Sequence, residues 1–246
     1  MPETYLVEWA ADRCVTAIAY RAAAEPVATL VLAHGAGASQ RSDFMVAFAD
    51  ALSSRELDVI TFNFPFTEGV RKLPDPQPVL EACYRGVLDH LDRAGRLGSR
   101  AIFIGGKSLG GRISSHLAAA VAGEQDSPAG WIRRFRGLVL LGYPLHPPAR
   151  PQQVRVSHLP AITHPMLFVQ GERDPFGTPA ELRAFADVLP AACDIYAVGQ
   201  GDHSFAVLKR SGLDQAAVHA AAQDYIVAWI RARVESATSG GPPPSP

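Results

Sequence analysis

Three residues of different chemistry, Ser108, Asp174 and His203, each lie just past a short apolar run of this chain. Ser108 is the centre of Gly106-Lys107-Ser108-Leu109-Gly110, a Gly-x-Ser-x-Gly match. Composition alone predicts roughly 0.1 such matches in a chain of this length, so the setting decides its weight. Here the apolar residues 101–104 come directly before it and a helical pattern directly after. A serine on a sharp strand-to-helix turn has an exposed hydroxyl and a strained backbone. Glycines two before and two after it let strand and helix approach closely. The hydroxyl becomes a useful nucleophile once a base takes its proton and an acid orients the base. One known order of the three groups along a chain, where the serine sits on such a strand-to-helix turn, is serine, acid, histidine. Asp174 follows the run ending at Gln170, and His203 follows the run ending at Val198. Glu172 is the alternative acid. Asp202 is disfavoured, because adjacent side chains seldom face each other.

Acyl transfer also needs donors aimed at a developing oxyanion. The N–H of Leu109, at a helix start, is one candidate, and the N–H of Ala36 in His34-Gly35-Ala36-Gly37 is the other. Gly35 lets the backbone of that loop come close to substrate, and His34 is read as organising it. Arg112, one helical turn beyond Ser108, would reach a substrate carboxylate or form a salt bridge beneath the site. Lys107 flanks the nucleophile in a supporting position. Phe62 belongs to the core, whereas Phe64 and Phe66 are candidates to line a pocket, and Tyr143 joins them as a candidate substrate contact. Two phosphate-binding readings fail: Ala101 stands where a Walker loop before Lys107 needs glycine, and Gln40 stands where a dinucleotide loop from Gly35 needs its third. The chemistry requires no cofactor. No two histidines have the four-residue helical spacing of a metal site, and Cys14, Cys83 and Cys193 form no CxxC pair.

These residues must be positioned by a sheet. Apolar runs at 29–33, 58–62, 101–104, 137–141, 166–169 and 193–198 alternate with helical patterns at 43–53, 79–91, 109–121, 179–188 and 214–234. That alternation predicts a parallel sheet covered on both faces. Residues 5–20 alternate more strictly and predict an antiparallel edge hairpin. Two proline-rich loops, 64–78 with four prolines and 143–165 with six, follow strand ends where open α/β sheets place ligands. Neither is long enough for a large cap domain. One domain is expected over residues 1–235, with a disordered Pro/Gly/Ser-rich tail over 236–246.

A net charge of −1 gives no basic surplus for nucleic acid or an anionic membrane surface. No apolar stretch of about 18 residues and no secretory leader is apparent, so a cytoplasmic soluble protein is expected. A homodimer through a sheet edge or helix face is compatible with the sequence, but no feature decides it.

Together the motifs Leu-Ala-His34-Gly-Ala-Gly, Phe62-Asn-Phe-Pro-Phe, Gly105-Gly-Lys-Ser-Leu-Gly-Gly-Arg112, Leu141-Gly-Tyr-Pro-Leu-His-Pro-Pro148, Gln170-Gly-Glu-Arg-Asp-Pro-Phe-Gly177 and Gly201-Asp-His-Ser-Phe205 carry a resemblance. Over roughly residues 29–233 the chain resembles one branch of the α/β-hydrolase family. That branch holds bacterial hydrolases related to dienelactone hydrolases, a eukaryotic testis-expressed protein and the third subunit of the nuclear NSL histone-acetyltransferase complex. The resemblance implies an α/β-hydrolase fold with an eight-stranded, mostly parallel sheet and a Ser108, Asp174, His203 triad. Dienelactone hydrolases proper use cysteine where Ser108 stands, so their substrate does not carry over. The leading expectation is a serine hydrolase acting on a small ester or thioester. The alternative is a hydrolase-fold interaction module with little or no turnover, resting on the proline-rich 143–165 segment and the missing cap.

Overall fold

The computed structural model describes residues 2–124 and 127–239. In chain order the elements are β1 (Glu3–Ala10), β2 (Arg13–Tyr20), β3 (Ala28–Ala33), α1 (Asp43–Ser53), β4 (Leu57–Phe62), α2 (Pro65–Glu68), α3 (Gln77–Arg93), β5 (Ile102–Lys107), α4 (Leu109–Ala120), α5 (Gly130–Arg134), β6 (Phe135–Leu141), β7 (Met166–Gly171), α6 (Pro179–Ala186), β8 (Cys193–Val198) and α7 (Gln215–Ser239). The strands form one eight-stranded sheet in the order β1-β2-β4-β3-β5-β6-β7-β8. All six apolar runs are strands of its parallel part. The alternating N-terminal segment is the expected hairpin, and β2 continues antiparallel onto β4. Asp12 closes the hairpin at φ 58°, a left-handed conformation that aspartate tolerates.

β3 explains why continuous apolar runs become buried strands. Its Leu30 and Leu32 pack on one face of the sheet with Met45, Phe48, Leu52, Ile226 and Ile230 of α1 and α7. Its Val31 and Ala33 face the other way, into a core with Tyr84, Val87, Leu88, Ile113 and Leu117 of α3 and α4. A strand covered on both faces has no solvent side, so alternation disappears.

α7 runs to Ser239, past the domain end expected at 235. No glycine or proline interrupts it before Gly240, and the Ser236 hydroxyl donates to the Ala232 carbonyl one turn back. The rest of the expected tail, 240–246, lies outside the described residues. Residues 64–78 are less loop-like than expected: Pro65 opens the single turn α2, and Pro78 falls in the first turn of α3. Proline is well suited there, because the first helical N–H groups have no intrahelical acceptor. Between β6 and β7 the chain makes only a 3-10 turn at Leu159–Ala161, so no large cap interrupts it. Among the described residues no helix is long and apolar enough to cross a membrane.

Candidate active site

Parallel strands bring their C-terminal ends to one edge, and β3, β5, β7 and β8 each deliver a functional loop there. Three glycines set the β5–α4 turn. A Cβ on Gly110 would lie 2.1 Å from the Ala33 carbonyl oxygen, and one on Gly106 2.3 Å from the same atom. The hydrogen-only side chains thus allow β3, β5 and α4 to touch backbone to backbone. Gly105 is as tightly placed against Val139 of β6. The turn forces Ser108 to φ 51°, ψ −111°, a conformation costing about 1–3 kcal/mol for a residue with a Cβ. It is held by the Ser108 N–H to Leu141 carbonyl bond of 2.9 Å.

Ser108 Oγ lies 2.9 Å from His203 Nε2, and His203 Nδ1 lies 2.7 Å from Asp174 Oδ2. A carboxylate only accepts, so Nδ1 carries the proton and Nε2 is free to accept from the serine. Asp174 is 2% exposed and is held by two further donors, the Phe176 N–H at 2.8 Å and Gln170 Nε2 at 2.9 Å. The Phe176 ring lies over the imidazole at 4.4 Å. Lys107, 7% exposed, donates from Nζ to the His203 carbonyl oxygen at 2.5 Å. Burial pushes its ammonium down to about 8, against the pull of Asp174 and Asp202. The lysine therefore anchors the histidine loop to the turn carrying Ser108. The alternative acids are used elsewhere: exposed Glu172 accepts from the Gln200 N–H, and Asp202 accepts from the N–H groups of Ser204 and Ala206.

The triad opens into a cleft of about 490 Å³. Ala36 and Leu109, the two expected oxyanion donors, line it together with Gly35, Lys107 and Arg112. Among the described residues Arg112 does not form the salt bridge that was one of its two readings. Its Nη2 donates instead to the neutral Gln77 Oε1 at 2.7 Å.

Four expected substrate contacts stand behind the cleft. His34, Phe64, Phe66 and Tyr143 are buried and absent from its lining. Their aromatic faces serve the core. His34 Nε2 accepts from the Phe64 N–H at 3.1 Å while Nδ1 donates to the Gly35 carbonyl at 2.7 Å, and its ring meets Phe64 and Phe66 edge-on. Burial pushes this imidazole down to about 4, so it is neutral and organises the β3 loop, as expected. Tyr143 donates its hydroxyl to the Arg155 carbonyl at 2.7 Å. Residues passed over in the sequence take their place: Pro144, Arg155, Phe176 and Ser204 line the cleft, and Gln170 braces Asp174. For Gln170 the signal was present, a lone amide near the end of an apolar strand. Arg155 had none, being one arginine in a loop.

A family model described as an alpha/beta hydrolase domain matches residues 26–231, and the chain belongs to that family. Its fold is similar to those of several solved structures. Dienelactone hydrolase from Anabaena variabilis is 19% identical with a TM-score of 0.68, over 92% of this chain and 98% of that one. Est1E from Butyrivibrio proteoclasticus is 14% identical with a TM-score of 0.67, again over 92% and 98%. XC6422 from Xanthomonas campestris, described as an α/β serine hydrolase without lid, is 16% identical with a TM-score of 0.65, over 93% and 94%. At these identities the likeness concerns the fold.

Proposed function

We propose that the protein is a serine hydrolase that cleaves a small ester or thioester through an acyl-enzyme. The observation carrying this reading is the unbroken chain from Ser108 Oγ through His203 to buried Asp174, 2.9 Å and 2.7 Å, at the mouth of a cleft. His203 Nε2 takes the hydroxyl proton as Oγ bonds to the carbonyl carbon. The carbonyl electrons move to oxygen, where the N–H groups of Ala36 and Leu109 stabilise the negative charge. The helix N-terminus beneath Leu109 adds roughly half a positive charge. Collapse of the tetrahedral species breaks the bond to the alcohol or thiol, which leaves with the proton from His203. Water, deprotonated by the same nitrogen, attacks the acyl-enzyme; the acid departs and Oγ recovers its proton. Asp174 holds the tautomer and offsets the positive charge of the transient imidazolium.

The test is turnover of p-nitrophenyl acetate and a short acyl thioester by the wild-type protein and Ser108→Ala. The reading requires saturable turnover that the substitution abolishes. Turnover that survives it would remove Ser108 as the nucleophile, and none from folded protein would instead support an interaction module on a hydrolase fold.

A further inference from the structure

We propose that Arg112 and Arg155 form an anion subsite, so that the substrate cleaved at Ser108 is an ester or thioester bearing a carboxylate. This rests on the hydrolase reading and narrows it to a substrate class. Both arginines line the cleft that holds Ser108 and His203. They reach it from different elements, Arg112 from the first turn of α4 and Arg155 from the segment between β6 and β7. Among the described residues neither is ion-paired, although thirteen other contacts of cationic with acidic groups, three of them through histidine, occur in the same chain.

Two guanidinium groups close enough to perturb each other are costly to bring together without an anion. Burial and the neighbouring Arg112 both lower the Arg155 pKa, against a smaller opposing pull from Tyr143. The same positive field reaches His158, which burial, His116 and Arg112 together push down to about 3. The acid of this corner, Glu81, receives Gln77 Nε2 at 2.7 Å and sits 3.8 Å from His116, so Gln77 stands between it and Arg112. Asp174 is occupied by His203 and Gln170.

The arrangement is also built. The Arg155 N–H donates to the Leu145 carbonyl at 2.8 Å, and the Arg155 carbonyl accepts the Tyr143 hydroxyl at 2.7 Å, so the backbone is pinned on both sides. Gln77 steadies the Arg112 guanidinium without neutralising it. Guanidinium forks match carboxylate geometry, and hydrogen bonds between charged partners are the strong ones.

The test uses two matched pairs, monoethyl glutarate against diethyl glutarate and 4-acetoxybenzoate against its methyl ester. The first places the charge on the acyl side and the second on the alcohol side. Binding of all four to Ser108→Ala protein is measured by calorimetry, which needs no turnover, and hydrolysis of all four by the wild-type protein is measured alongside. The charged member of at least one pair is expected to bind about tenfold or more tightly than its neutral partner. Arg112→Gln and Arg155→Gln should each reduce that ratio. Equal affinities within both pairs, or a ratio indifferent to both substitutions, would overturn the subsite. Charged preference in binding with no hydrolysis by the wild type would retain the subsite and remove the hydrolase reading.

Discussion

Two concave regions of this protein differ in what their polar groups are doing. The larger, about 590 Å³, lies between the hairpin, α3 and the segment leading into α5 and is lined by Trp9, Arg85, Asp89, Asp92 and Glu124 among others. The smaller, about 490 Å³, holds Ser108. In the larger region most of the charged groups are engaged by neighbours. Arg85 makes two bonds to Glu124 at 2.7 and 2.6 Å, Asp89 accepts the Trp131 indole N–H at 2.7 Å, and Asp92 takes the Trp131 backbone N–H and Arg134. The smaller region is lined by a strained serine, a histidine and two arginines that make no ion pair among the described residues. Volume therefore does not separate the two regions; the strained serine with its histidine and the uncompensated arginines does.

The comparison can be broken by substitution. Ser108→Ala should lower ester turnover by about ten-thousandfold or more, whereas Arg85→Ala in the larger cavity should leave turnover within about twofold. Steady-state kinetics on both variants read this directly. A comparable loss from Arg85→Ala would mean that the larger region takes part in the chemistry.

A second prediction concerns the backbone contact beneath Ser108. Gly110→Ala forces a Cβ into the Ala33 carbonyl, so the protein should lose about 3 kcal/mol or more in urea unfolding, or fail to accumulate folded. Gly95→Ala is a poor control because of its φ of 67°. Gly37→Ala, where nothing lies within 4 Å of the added methyl group, should be nearly neutral for stability.

The third is pH dependence. Burial holds His34 at about 4, His158 at about 3 and His164 at about 4. Unfolded, each takes up its proton near 6.5. The unfolded chain therefore binds more protons between those values, and stability falls as pH drops from about 7 towards 4. The slope is up to about 1.4 kcal/mol per pH unit for each histidine. Urea midpoints at pH 7 and 4.5 test this. His164→Leu, away from the cleft, should flatten the decline, and an unchanged slope would show that His164 is not held neutral.

The smallest expected effect sharpens the account of the turn. Ser108→Gly and Ser108→Ala both remove the hydroxyl, but only glycine relaxes φ 51°, ψ −111°. The glycine variant should be the more stable by about 1 kcal/mol in the folded state, partly offset by its freer unfolded chain. Equal or lower stability would mean that the turn stores little strain.

How far the sequence could be read follows the same division. Ser108 was legible because local chemistry is concentrated there: two glycines, an apolar run before and a helical pattern after. Asp174 and His203 were legible because parallel strands send their following loops to one edge. Phe64, Phe66 and Tyr143 were misread because their side-chain directions depend on chain-distant partners, such as His34 for the phenylalanines and Arg155 for the tyrosine. Arg155 was missed for a related reason. Its place in the cleft is set by how its segment folds back onto Tyr143 and Leu145, and no local pattern encodes that path.

The measurement that tests the central claim most directly is labelling with a fluorophosphonate probe, read by intact mass, on wild-type protein and Ser108→Ala. The account predicts one covalent adduct on the wild type and none on the variant. Folded wild-type protein that takes up no probe, or a variant labelled as readily as the wild type, would contradict an activated Ser108.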